Sequence, residues 1–183
     1  MAQIGESSCR RFSQADPDTV AQVVRTYSDS LVRFAYSYVK DAAAAEDVAG
    51  DTIALLFVKG KRFENEQKLR AYLYKVARSK AIDYLRRHSN EVPLEDVENV
   101  LYTESAESHA LRKQRDETVY ICIQRLPQDY RTAILLTYFE GFSLEVARHI
   151  MGKNVKQMYN IHARAKIALR EMLEKEGITH EDL

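Results

Sequence analysis

Glycine, proline and cysteine are scarce in this chain, with 6 Gly, 3 Pro and 2 Cys among 183 residues. Gly and Pro interrupt helices, so their scarcity beside abundant Ala, Leu, Glu, Lys and Arg favours an all-α fold. The two cysteines lie in unrelated contexts, Cys9 in a polar N-terminal tail and Cys122 in an apolar helical stretch. This arrangement predicts neither a disulfide framework nor a zinc site.

Long apolar runs and the groups typical of enzyme sites are also missing. No apolar segment approaches the roughly 20 residues that span a bilayer, and the start, MAQIGESSCRRFSQADPD, lacks the apolar core of a signal peptide. We therefore expect a cytoplasmic protein without membrane insertion. The sequence has no Gly-rich phosphate loop, no His/Cys set at metal-ligand spacing and no nucleophile beside an obvious base. We expect no enzymatic activity, no catalytic residues, no metal and no cofactor.

Apolar residues at three-and-four spacing predict three helices in the first half of the chain. The first begins near Val20 and the second covers residues 42–59. A loop over residues 60–68 contains a helix-stopping Gly and few apolar residues, and helical spacing resumes at Leu69. The first half therefore reads as a small helical domain.

The second half predicts four more helices. One ends near Leu126, and Pro127 can open the next. Proline has no backbone N–H, but the N–H groups in the first turn of a helix have no partner within the helix, so none is lost. A short helix starts at Ser143, Gly152 makes a tight turn, and Asn154 caps a longer helix. Helix, Gly turn and helix is the layout of a DNA-reading helix-turn-helix.

An acidic segment separates the two halves. Residues 91–110 contain six acids, no Lys or Arg and no sustained apolar period, which is typical of a linker. We predict two small helical domains joined by this flexible linker, in five segments: a polar tail (1–18), a first domain (19–90), the acidic linker (91–110), a helix-turn-helix domain (111–175) and a short tail (176–183).

The equal totals of 27 basic and 27 acidic residues hide two basic regions. Residues 59–88 hold ten Lys and Arg against three acids, with aromatic residues interleaved, which suits the backbone and bases of single-stranded or melted DNA. A solvated charged face with tyrosines in the core would give the same pattern. Residues 148–175 hold seven basic residues against two acids, and the polar start of the last helix fits a major groove. A helical hairpin used for protein contact remains the alternative there.

Two pairs of segments carry a resemblance to a known family. LVRFAYSYVKDAAAAEDVAGDT and LRAYLYKVARSKAIDYLRRH resemble the polymerase-binding and promoter-melting segments of the extracytoplasmic-function sigma factors. LPQDYRTAILLTYFEGFSLEVARHIMG and KNVKQMYNIHARAKIALREML are similar to the family's terminal helix-turn-helix domain. The matches cover roughly residues 20–173, and two matches in the expected order are more specific than either alone.

The resemblance implies a promoter-specificity subunit that binds core RNA polymerase, reads promoter DNA as duplex and as melted strand, and is held inactive by an anti-sigma protein. The implied polymerase-binding residues are Asp47, Val48, Asp51 and Leu55. The residues implied for the proximal promoter element are Lys61, Arg62, Phe63, Asn65, Tyr72, Lys75, Arg78, Ser79, Lys80, Arg86 and Arg87. Those implied for the distal element are Lys153, Asn154, Lys156, Gln157, Tyr159, Asn160 and Arg164.

Three residues depart from the family's pattern. Ser79 replaces a common Asn, and His162 takes a commonly apolar position. Arg148 stands where a small residue usually packs, so we expect its charge to reach solvent along its aliphatic stem, or the short helix to be rotated. Two other functions fit the same charge map: a stand-alone helix-turn-helix regulator that dimerises on duplex DNA, and a helical module whose basic faces bind an acidic protein.

Overall fold

The protein is described by a computed structural model covering residues 17–88 and 110–178, with side chains omitted for 110–117. These residues form α-helices joined by turns, without a strand, which confirms the all-α prediction. The chain divides into two compact units, Met1–Val97 and Glu98–Leu183. The predicted acidic linker, apart from Ala110, lies outside the described residues, as do most of both predicted tails.

The first unit contains three helices: α1 (Pro17–Val39), α2 (Ala42–Val58) and α3 (Glu66–His88). The turn between α1 and α2 is tight because Lys40 adopts a left-handed φ of 57° and Asp41 accepts a hydrogen bond from the Ala44 amide at 2.6 Å. Helix α3 begins before the predicted start at Leu69. The Asn65 side chain caps it by accepting from the Lys68 amide at 2.9 Å, and this polar first turn carries no apolar signal.

Each helix of the first unit packs against the other two. Leu31 of α1, Leu56 of α2 and Leu73 of α3 are all fully buried, and each such side chain contributes roughly 1.5–3 kcal/mol of burial free energy. The Phe34 and Tyr74 rings meet edge to face, with centroids 5.0 Å apart. The predicted helical spacing therefore corresponds to a buried core. This core determines which faces of α2 and α3 are exposed to solvent.

The second unit contains α4 (Ala110–Arg125), α5 (Gln128–Ile134), α6 (Leu144–Met151) and α7 (Val155–Lys175), with a π-helical turn over Leu135–Phe139. Helix α7 packs against each of the other three. The core joins Ile123 of α4, Ile134 of α5 and Ala165 of α7. The predicted starts of α5 after Pro127, α6 after Ser143 and α7 after Asn154 are confirmed.

The π-helical turn is a feature that the sequence did not predict. Its wider hydrogen bonding joins the Glu140 amide to the Leu135 carbonyl at 3.0 Å. Leu135 and Leu136 turn into the core, whereas Tyr138 and Phe139 remain 59% and 53% exposed. The turn therefore places two aromatic side chains on the surface, just before α6.

Gly152 provides a test of the turn between α6 and α7. Its φ of 67° suits glycine, so Gly152→Ala should lower the free energy of unfolding by about 1–2 kcal/mol through backbone strain. Gly50→Ala is the matched control: it lies inside α2, where an added Cβ meets nothing within 4 Å, and should raise stability by up to about 1 kcal/mol. Urea denaturation followed by circular dichroism measures both, and a shift in the same direction for both variants would contradict this account.

Candidate nucleic-acid interface

The loop before α3 folds back onto the helix through an aromatic and cationic cluster. The Phe63 and Tyr72 ring centroids are 5.2 Å apart at 45°, and the Lys61 ammonium lies 4.7 Å from the Tyr72 centroid. The Tyr72 hydroxyl is buried without a hydrogen-bond partner among the described residues, and burial raises the pKa of Tyr72. Three residues predicted for the proximal element are therefore neighbours, and they offer a π surface beside a positive charge.

The other residues predicted for the proximal element differ in solvent exposure. Arg78 is half-buried, and its Nε has no hydrogen-bond partner among the described residues. Asn65 is exposed, but its side-chain oxygen is used to cap α3. The exposed cations and the exposed hydroxyl of this set are Arg62, Lys75, Ser79, Arg86 and Arg87.

Lys80 lies apart from that exposed set because it pairs with α2. Its ammonium donates to the Asp51 carboxylate at 2.8 Å, across 29 residues of sequence. The pair lines a groove of about 370 Å³ between α2 and α3, which also contains Asp47, Asp83 and Arg87. The groove therefore joins residues predicted for polymerase binding to residues predicted for DNA binding.

The predicted polymerase-binding set is divided by the fold. Asp47 and Asp51 are exposed on α2, and Leu55 is half-buried. Val48 is only 5% exposed and packs in the core of the first unit beneath the acidic face, so its direct contact with polymerase stays a prediction. The buried residues of α2 recur at three-and-four spacing and mark the side of the helix that faces α1 and α3: Ala44, Ala45, Val48, Ala49, Thr52, Ile53 and Leu56.

In the second unit, α6 and α7 meet at a tightly specified turn. Ser143 caps α6, Gly152 ends it, and Asn154 opens α7 with a capping box. The Asn154 oxygen accepts from the Gln157 amide at 2.8 Å, and the Gln157 oxygen accepts from the Asn154 amide at 3.0 Å. The side-chain NH₂ groups of both residues take no part in the capping box, so they can donate to a ligand.

Helix α7 presents the rest of the predicted distal set along its exposed side, with Tyr159 at 59% exposure and with Lys156, Asn160 and Arg164 also exposed. Lys153 is different. It forms an ion pair with Asp129 of α5 at 2.5 Å, and its side chain is only 25% exposed.

Arg148 has a partner that the sequence did not reveal. Ala147 takes the fully buried position in α6, while Arg148 turns back to form two hydrogen bonds with the Glu145 carboxylate, one of them 2.6 Å long. These hydrogen bonds hold the pKa of Glu145 below its usual range, and they raise the pKa of Arg148. The cation thus avoids burial without a partner.

His162 stacks on Tyr138, whose surface position was not predicted. The ring centroids are 5.7 Å apart and nearly parallel, at 9°. Burial, followed by the positive charge of Lys166, lowers the pKa of His162 from 6.5. A Tyr-Phe pair just before the polar break at Gly141 was the available signal for surface aromatics, although their contact with α7 depends on the fold.

Neither a metal site nor a membrane-spanning helix is found in the described part of the chain. No group of three or more His, Cys, Asp and Glu side chains there could hold a metal ion. None of its helices is long and apolar enough to cross a bilayer.

Comparison with known proteins identifies relatives over most of the chain. Residues 23–91 match the family Sigma-70 region 2. The ECF RNA polymerase sigma factor SigM of Bacillus subtilis is 27% identical over 164 residues, which are 89% of this chain and 99% of SigM. The ECF RNA polymerase sigma-E factor of Haemophilus influenzae is 29% identical over 179 residues, covering 90% of each chain. The solved sigma factor RpoE, in complex with the anti-sigma factor NepR from Bartonella quintana, matches with a TM-score of 0.67 and 25% identity over 84% of this chain and 96% of RpoE.

The environment of His162 predicts a pH dependence of stability. Because its pKa is lowered in the folded state, the unfolded chain binds the proton more readily. This contribution to the free energy of unfolding should be fully present above pH 6.5 and be lost as the pH falls from 6.5 through the folded-state pKa. His162→Gln should lose less stability than the wild type over that interval in urea denaturation.

Burial and the charge of Lys166 both lower the pKa of His162, and NMR titration of the His162 ring can separate their effects. Lys166→Met removes the neighbouring charge and should raise the titration midpoint, and Tyr138→Ala should raise it by exposing the ring. Lys175→Met, in the last turn of α7, is the control. A midpoint unchanged by both Lys166→Met and Tyr138→Ala would refute these causes.

Proposed function

Since the chain belongs to the extracytoplasmic-function sigma factors, we propose that it binds core RNA polymerase and directs it to particular promoters. One observation carries this proposal. Each of the two units presents a helix, α3 or α7, that buries an apolar face and exposes basic side chains. Two such helices on separate units suit two DNA elements better than one catalytic centre.

We propose that α3 and its preceding loop bind the opened proximal element. Melted DNA exposes base faces that stack on aromatic rings and phosphates that attract cations. The Phe63–Tyr72 pair with Lys61 supplies both kinds of contact, and Arg86 and Arg87 extend the positive charge along α3. Together with the remaining proximal residues, this surface would hold the single strand after melting.

The distal element would be read as duplex by α7, the second helix of the proposed helix-turn-helix. The capped start of α7 gathers exposed donors, with Asn160 suited to base edges and Lys156 and Arg164 suited to phosphates. A DNA-bound α7 would insert this N-terminal part into the major groove. Lys153 would add a further phosphate contact at the turn.

The exposed acids of α2 support the proposed contact with polymerase. Asp47 and Asp51, together with Leu55, form a face that suits a partner surface with basic and apolar side chains. The RpoE relative is solved with an anti-sigma factor, and we propose that this chain is likewise held by one. Acting with polymerase, it would work in the cytoplasm and catalyse no reaction of its own, and residues 91–110 would link its two domains.

Run-off transcription with core polymerase and a promoter library tests the proposed function. A sigma factor should bind the core enzyme and produce specific starts, because neither component alone selects a site. A stand-alone regulator would bind duplex DNA without polymerase, and a protein-interaction module would do neither. The absence of specific starts together with the absence of core binding would refute the proposal.

Lys156 gives a matched test of the distal contact. Lys156→Ala should weaken binding of distal-element duplex about fivefold by removing one phosphate contact, while affinity for core polymerase stays unchanged. Lys175→Ala is the control, because it removes the same charge from the opposite end of α7. Fluorescence anisotropy measures the duplex affinity, and equal affinities for Lys156→Ala and the wild type would exclude this role.

A further inference from the structure

The Asp51–Lys80 ion pair connects two surfaces with different proposed partners. Asp51 lies on the α2 face proposed for polymerase, and Lys80 belongs to the α3 set proposed for DNA. Their oxygen and nitrogen are 2.8 Å apart, so the ammonium already has an anionic neighbour in the free protein. A phosphate that binds Lys80 must compete with Asp51 or share the ammonium with it.

Burial favours competition over sharing. The Lys80 side chain is only 30% exposed, because it lies in the groove between α2 and α3, whereas Asp51 is 68% exposed on the rim. Lys75 and Arg87 of the same helix are exposed. Of these three cations on α3, Lys80 is the half-buried one, and its ammonium is paired with the carboxylate of Asp51.

The second unit repeats the arrangement independently. Lys153, in the turn before α7, pairs with Asp129 at 2.5 Å, and its side chain is 25% exposed. In both units, a half-buried lysine of the proposed DNA surface is paired with an aspartate from a neighbouring helix. The repeat favours an effect on DNA binding over an incidental surface pair.

We infer that Asp51 is a positioning residue that holds Lys80 away from DNA in the free protein and thereby limits its affinity for single-stranded DNA. This inference rests on the proposed function for its DNA surface. A partner that binds Asp51 would release Lys80, and by linkage a phosphate that binds Lys80 would make Asp51 more available to that partner. The groove therefore couples the two faces through one ion pair.

A double-mutant cycle on the full chain tests this inference. The probe is a fluorescein-labelled single strand of roughly 20 nucleotides of mixed sequence, longer than a single binding site. Asp51→Asn should tighten binding about threefold, the size expected from releasing one exposed ion pair. In the Lys80→Met background, the same change should give a gain below about 1.5-fold, because no ammonium is left to release.

The salt dependence supplies a readout that a purely structural role would not change. Between about 50 and 200 mM salt, Asp51→Asn should steepen the slope of log affinity against log salt by about 0.7, as one more phosphate is neutralised. Asp51→Glu keeps a carboxylate, so its salt slope should lie between those of the wild type and Asp51→Asn. Circular dichroism establishes that each variant is folded.

Asp47→Asn is the matched control for the general effect of charge. Asp47 lies one turn before Asp51 and lines the same groove, but its removal leaves the Asp51–Lys80 pair intact. Its gain in affinity should therefore be smaller than that of Asp51→Asn. Equal gains from the two changes, or an equal gain from Asp51→Asn with and without Lys80, would overturn the inference.

The inference and the proposed function can fail separately. Specific run-off starts with the wild-type chain, combined with no coupling between Asp51 and Lys80, would overturn the inference alone. Coupling on the free strand, combined with neither specific starts nor core binding, would support the ion-pair effect and overturn the promoter function.

Discussion

A densely basic helix needs an apolar anchor, and this requirement shapes the first unit. Leu69, Leu73, Ala77 and Ala81 of α3 are each fully buried, along one side of the helix. The charged side chains then occupy the remaining circumference, where water and counterions screen their repulsion. Since α3 packs against both α1 and α2, its orientation is fixed before any ligand binds. A preformed basic and aromatic surface loses little conformational entropy on binding DNA.

In the second unit, buried side chains likewise anchor the basic helix α7. Met158 and Ala165 bury one side of α7, while the capping box at Asn154 and the left-handed Gly152 fix where the helix begins. The turn sets the direction of α7, and packing sets its rotation. Together they decide which polar side chains point outward at the end of the helix that would enter the groove.

Sequence patterns predicted the helices well because helical spacing, Pro127 and the caps at Ser143 and Asn154 act locally. The candidate site was predicted less completely, since burial and pairing depend on segments that are distant in sequence. The partner of Lys80 comes from another helix, so no spacing rule could have identified it.

Ion pairs within the fold also change how the neutral net charge is understood. Counting cations overstates the charge available to DNA, because Lys80 and Lys153 are each neutralised at short range by an aspartate of their own unit. Exposed cations such as Lys156 retain their long-range attraction and can steer an approaching phosphate backbone. In the proposed interface, the paired lysines would contribute only when a phosphate comes close enough to displace their aspartates. Under the proposed function, long-range attraction and close contact with DNA would therefore fall to different side chains, and the close contact would require breaking the pair with Asp51 for Lys80 and the pair with Asp129 for Lys153.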